Sequence, residues 1–309
     1  MALFDPDFLK RLDYLALLAR RTGGSALLAA AAAKVPGGGT EVTALRDYAP
    51  GDDYRHVDWV CCARRDDLLT KVFEGVTDLH TYLLVDCSAS MAAGSPAKFH
   101  VARQIAAALG YLAMGRLDRL GVATFADDLT AAWPLLCHKT RFPRLLRLLE
   151  ELSVQQRPTN LARTAETFVR RYQRHGQVVI LSDAYDPGGF QRGLEILRYH
   201  GYQPRLVQIH DPREADPHLS GDIELYDVET RTVRQATITE RMTRRYRVLF
   251  TQFQDSLRDY CTKHAIPHVS IACAMPEDQV LRTVVCLRKG DSPIFVGRKL
   301  GQSPGRHTP

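Results

Sequence analysis

Apolar and polar positions along the 309-residue chain fall into two alternating patterns. Short, nearly continuous apolar runs of strand length are "HTYLLVD" from His80, "RLGVATF" from Arg119, "QVVILSD" from Gln177 and "QPRLVQIHD" from Gln203. Between them lie longer stretches with apolar residues every three or four positions, the spacing of one helical face. In "AKFHVARQIAAALGYLAM" that face carries Val101, Ile105, Ala108, Leu109 and Leu112. "RFPRLLRLLEEL", "NLARTAETFVRRYQRH" and "GFQRGLEILRYHG", with its stop at Gly201, read the same way. "LTAAWPL", after the Asp127-Asp128 turn, reads as a hairpin partner of the strand before it. Strands alternating with helices predict an α/β, Rossmann-like fold: a mostly parallel sheet with helices on both faces.

The flanks break this rhythm. Residues 3–33 carry Phe8, Leu12, Leu15 and Ala19 at helical spacing, and "KVPGGGTEV" then predicts a flexible turn at Gly37–Gly39. Without a following GK[ST], that glycine run is no phosphate loop. The charged text from Glu41 to Glu74 reads as a solvated face with a turn at Pro50–Asp53 and a strand from Leu68 to Phe73. After Asp211 come a polar-faced hairpin turning at Glu229-Thr230, a long amphipathic helix capped by Thr239, a strand in "PHVSIACA" and a last helix. These spans divide the chain into a helical segment (1–34), a segment of short strands (35–78), the α/β core (79–211), a C-terminal α/β extension of the same sheet (212–296) and a disordered tail (297–309).

Composition changes the picture little. Apolar residues make up 45% and charged residues 25%, ordinary for a soluble globular protein with a sizeable core. The net charge of +6 comes from 41 basic against 35 acidic residues, too mild to imply nucleic acid by itself. Arg141, Arg144 and Arg147, and the group Arg241, Arg244, Arg245 and Arg247, read as solvated helix faces or protein contacts. No stretch reaches the roughly 18–20 apolar residues that span a bilayer. "MALFDPDFLKRLDYL" carries acids where a signal peptide would carry bases. Seven cysteines, an odd number with no CxxC pair, complete the expectation of a cytoplasmic protein whose thiols stay reduced.

Chemistry is expected beyond the carboxyl ends of the parallel strands, where ligands gather in open α/β sheets. Three places qualify: Asp86-x-Ser88-x-Ser90 after "YLLV", Asp183 after "VVILS", and Thr159 in the loop before "NLARTAETF". Two carboxylates and three hydroxyls form an all-oxygen set, which suits Mg²⁺ or Mn²⁺ and suits zinc poorly.

Asp86, Ser88, Ser90, Thr159 and Asp183 resemble the metal-ion-dependent adhesion site of von Willebrand factor A domains. "LRDYAPGDDYRHVDW", Leu45–Trp59, with the Lys71 and Phe73-Glu74 that follow, resembles the signature before such a domain in the bacterial family called domain of unknown function 58. The likeness extends from about Gly38 to Arg288. It implies a von Willebrand factor A-like fold in which Asp86, Ser88 and Ser90 hold the metal and Thr159 and Asp183 complete its shell directly or through water. It also implies a protein partner, a MoxR-type AAA+ ATPase or its client, reached through a metal-bound carboxylate, with action in assembly or maturation of other proteins. Asp52, Arg55 and Trp59 of the signature are the remaining candidates for partner binding.

The resulting expectation is a non-enzymatic, metal-dependent binding protein. The alternative is a Mg²⁺-dependent hydrolase or phosphatase. A phosphatase of the haloacid-dehalogenase type wants DxD, where this chain has Ser88 at the second position, and a serine hydrolase wants GxSxG, where it has "DCSAS".

Overall fold

The computed structural model describes residues 3–21, 36–49, 53–65, 67–74, 80–115, 118–186, 188–217, 219–227 and 232–285. In chain order its elements are α1 (Pro6–Arg21), β1 (Pro36–Asp47), α2 (Trp59–Arg65), β2 (Leu69–Glu74), β3 (His80–Asp86), α3 (Lys98–Gly115), β4 (Arg119–Phe125), β5 (Leu129–Ala132), α4 (Phe142–Glu151) and α5 (Leu161–Arg171). They continue with β6 (Gln177–Ser182), α6 (Phe190–Tyr199), β7 (Gln203–His210), α7 (Pro212–Ala215), β8 (Gly221–Tyr226), β9 (Val233–Ile238), α8 (Glu240–Lys263), β10 (His268–Ala272) and α9 (Glu277–Val285).

Six strands form one sheet in the order β10-β7-β6-β3-β4-β5. All neighbours run parallel except β5, which returns antiparallel on β4. The fold is therefore the Rossmann-like α/β arrangement, a mostly parallel sheet with helices on both faces, that the alternation predicts. β10, from the C-terminal extension, is its edge strand beside β7.

Side-chain alternation builds two cores on the sheet's two faces. Leu83, Val85, Val179, Leu181, Val207, Ile209, Val269 and Ile271 point to one face, covered by α1, α3, α4 and α9. Tyr82, Leu84, Val178, Ile180 and Leu206 point to the other, beneath α5, α6 and the C-terminal end of α8. β3 is buried along its whole length, which is why its text shows no polar alternation.

The structure corrects the flanks. The glycine run lies in β1, which pairs antiparallel with β2; its register slips between Pro36 and Glu41, so the glycines are taken up as a bulge in a strand. Helix α2, in text read as a solvated face, has its start capped by Asp58, whose carboxylate accepts from the amides of Val60 and Cys61. The expected helix over residues 3–33 ends at Arg21 among the described residues, and its remainder, the Pro50–Asp52 part of a turn, the Glu229-Thr230 turn and the tail lie outside them. No helix among the described residues is long and apolar enough to cross a membrane. Six cysteines are described and all are free thiols; Cys286 lies outside the described residues.

Candidate metal centre

The strand order reverses between β3 and β6, and the candidate residues gather at the carboxyl ends of these two strands. Asp86 ends β3 fully buried. One carboxylate oxygen accepts the Ser88 amide at 2.8 Å, and the other accepts the Ser182 hydroxyl, from the end of β6, at 2.5 Å. The chain then makes one 3-10 turn, Ala89–Ala92, which sets the Ser88 and Ser90 hydroxyls 3.1 Å apart.

β6 ends in a tight turn. The Ser182 hydroxyl accepts the Ala184 amide at 2.9 Å, and Ala184 sits at φ 65°, a left-handed conformation costly for a residue with a Cβ. That turn aims Asp183, fully buried, back over the strand ends. Its Oδ1 accepts the Tyr185 amide at 3.1 Å.

The third segment is sewn to both others. The Gln155 amide donates to the Cys87 carbonyl (2.6 Å) and the Ala89 amide to the Arg157 carbonyl (3.1 Å). At the far end of the loop the Leu161 amide donates to Asp186 (2.8 Å), and Asn160 caps α5 through the Arg163 amide. Gly193 of α6 makes room for this junction: a Cβ there would lie 2.4 Å from Leu161 Cγ. Thr159 is thereby buried, and its hydroxyl makes no hydrogen bond among the described residues.

The electrostatics point the same way. Burial, and then the neighbouring Asp183 charge, push the Asp86 carboxyl up to about 7, against the hydrogen bonds from Ser182 and Ser88. A carboxyl buried like Asp86 resists ionisation unless positive charge reaches it. Part of it comes from a residue the sequence reading passed over. Lys98, the first residue of α3, is 1% exposed; its ammonium donates to Asp183 Oδ2 at 2.6 Å and to Glu214 Oε1 at 2.7 Å. Burial depresses the Lys98 amine, but Asp183 and Glu214 outweigh it, and the net direction is upward. Glu214 in turn accepts the Tyr185 hydroxyl and the Asp211 amide, the latter as part of the α7 capping box.

A divalent ion fits this set. Among the described residues no three His, Cys, Asp or Glu side chains are grouped to hold a metal, so any ion here depends on hydroxyls. The Ser88–Ser90 pair and the buried Thr159 hydroxyl, which has no hydrogen-bond partner among the described residues and lies in a loop bonded to both carboxylate turns, would supply them in the oxygen chemistry of Mg²⁺ or Mn²⁺. Of the other candidates, Asp52 lies outside the described residues, while Arg55 and Trp59 are exposed around the start of α2, in the β1–β2 segment and not in these three loops.

The family model described as protein of unknown function DUF58 matches residues 44–259, more than half of the chain. The chain belongs to that family. The DUF58 match takes in α2, every loop of the candidate centre and most of α8. Uncharacterised proteins of Mycobacterium tuberculosis and Mycobacterium bovis are 30% identical over 210 residues, 66% of this chain. The match spans 65% of each relative's own length. Among solved structures, a conserved hypothetical protein BatB from Bacteroides thetaiotaomicron is similar at 13% identity and a TM-score of 0.42, over 66% of this DUF58 chain and 95% of that one. An aerotolerance-related membrane protein from Bacteroides fragilis is similar at 14% identity and a TM-score of 0.43, over 67% and 96%.

Proposed function

We propose that this DUF58 protein is a metal-dependent protein-binding adaptor, not an enzyme. Asp86, Ser88 and Ser90 would hold Mg²⁺ or Mn²⁺, with Thr159 and Asp183 completing the shell directly or through water. Neutral hydroxyls leave much of the ion's charge unneutralised, so its chemistry there is to attract a carboxylate from a partner. Residues around the contact would supply specificity. The partner that the family resemblance suggests is a MoxR-type AAA+ ATPase or its client, in assembly or maturation of other proteins.

The observation that carries this reading is the Thr159 hydroxyl, buried with no hydrogen-bond partner among the described residues in a loop hydrogen-bonded to both the Asp86 and the Asp183 turns. Natural proteins seldom bury such a group for nothing, since it costs about 1–3 kcal/mol.

The test is a thermal titration with MgCl₂ or MnCl₂. At about a hundredfold over Kd the ion should add about 2.7 kcal/mol, a rise in midpoint of about 5 °C that EDTA reverses. Asp86→Ala should remove the rise while the protein stays folded. An unchanged rise in that variant places the ion elsewhere and defeats the assignment.

A further inference from the structure

Lys98 is an odd residue to find where it lies. It opens α3, where the positive end of the helix dipole disfavours a cation, and its side chain is almost wholly buried. A buried lysine is costly unless paired, and this one is paired twice, with Asp183 and with Glu214. Glu214 is held independently by the α7 capping box and by Tyr185, so the ammonium is pinned from its far side and cannot drift off Asp183 freely. Each Asp183 oxygen already accepts a donor, the Tyr185 amide on one and the ammonium on the other.

We propose that Lys98 is a built-in competitor of the divalent ion: its ammonium occupies Asp183, sets a positive charge beside the place of the ion, and so keeps the ion weakly held until a partner adds its own acid. This rests on the metal-site reading above. Glu214 sets the strength of the competition, because it shares the ammonium. Removing the lysine charge should tighten ion binding, by Coulomb repulsion lost and by a carboxylate gained. Removing the Glu214 charge should weaken it, since the ammonium then leans on Asp183 alone.

Calorimetric titration of the full chain with MnCl₂ tests this in wild type, Lys98→Met, Glu214→Gln and the double variant. Glutamine keeps the capping-box geometry. Affinity should rise at least tenfold in Lys98→Met, fall about threefold or more in Glu214→Gln, and exceed wild type in the double variant. A purely structural ion pair would lower the thermal midpoint of both single variants without moving their affinities in opposite directions. Should Lys98→Met fail to fold, the double variant, which removes both charges together, answers the same question. Wild-type binding with no gain in any lysine variant overturns the proposal and leaves the metal site standing. Binding in Lys98→Met but not in wild type supports it and removes the metal site from the resting protein. No binding in any of the four overturns both.

Discussion

Thr159 is the residue on which the proposed metal chemistry turns. Its hydroxyl is buried and has no hydrogen-bond partner among the described residues, a cost that valine of nearly the same shape would not carry. Thr159→Val should therefore stabilise the metal-free protein by about 1 kcal/mol while reducing the further stability gained from Mg²⁺. Urea denaturation with and without the ion measures both halves, and a destabilised metal-free variant would mean that the hydroxyl has a partner after all. At this scale the sequence was readable only in part. Asp86, Ser88, Ser90 and Asp183 stand out because each follows an apolar run that has to end somewhere, and polar groups at such ends face the switch point. Lys98 gave a weaker signal: it lies in helical register with Ala102, Ile105 and Leu109, all buried, so a lysine on that stripe needed a buried acid. Which acid could not be read, because Asp183 and Glu214 lie 85 and 116 positions away along the chain.

Among the elements, the long periodic ones were legible and the short ones were not. β3, β6 and β7 announce themselves by nearly continuous apolar runs, and α8 by its Thr239 cap, whose side chain accepts the Met242 amide. Helix α7 has only four residues, too few for any period, yet it carries the Glu214 that anchors Lys98. The glycine-rich part of β1 defeated the reading for the opposite reason: glycine is depleted in strands, and here pairing with β2 overrides that preference. β10 contributes a pH dependence. His268 is buried there, neither ring nitrogen has a hydrogen-bond partner among the described residues, and burial, aided by Arg258, pulls its pKa down to about 4. The unfolded chain takes up a proton near pH 6.5 and the folded chain resists until about pH 4, so stability is lost as pH falls through that window. The loss should reach about 2 kcal/mol by pH 5. Denaturation midpoints at pH 7, 6 and 5 should show it, and His268→Leu should flatten the slope; an equal slope in that variant would assign the effect to other groups.

For the molecule as a whole, α8 comes close to the proposed metal face, through Arg247 on Asp216 beside α7 and Phe253 on the Tyr185 ring, while the exposed Arg244 pairs with Glu240 on its own helix. Binding to an AAA+ partner should weaken at least tenfold in EDTA, in Ser88→Ala and in Asp183→Ala, and change little in Arg241→Ala or Arg244→Ala. Titration calorimetry decides this; full affinity without metal would move the partner surface to exposed Trp59 and Arg55. The sheet order has a consequence of another kind. β3 pairs on one side with β4, which follows it closely, but its other neighbour, β6, does not begin until Gln177. While a ribosome adds the intervening chain, a strand that is fully buried in the finished sheet offers a bare hydrogen-bonding edge, and nascent chains at this stage are sticky. No ion can shorten the wait, because Asp183 emerges later still. A chain stalled or truncated before Gln177 should therefore aggregate through the Tyr82–Val85 segment, and the cell's holding chaperones should meet this protein at its half-length.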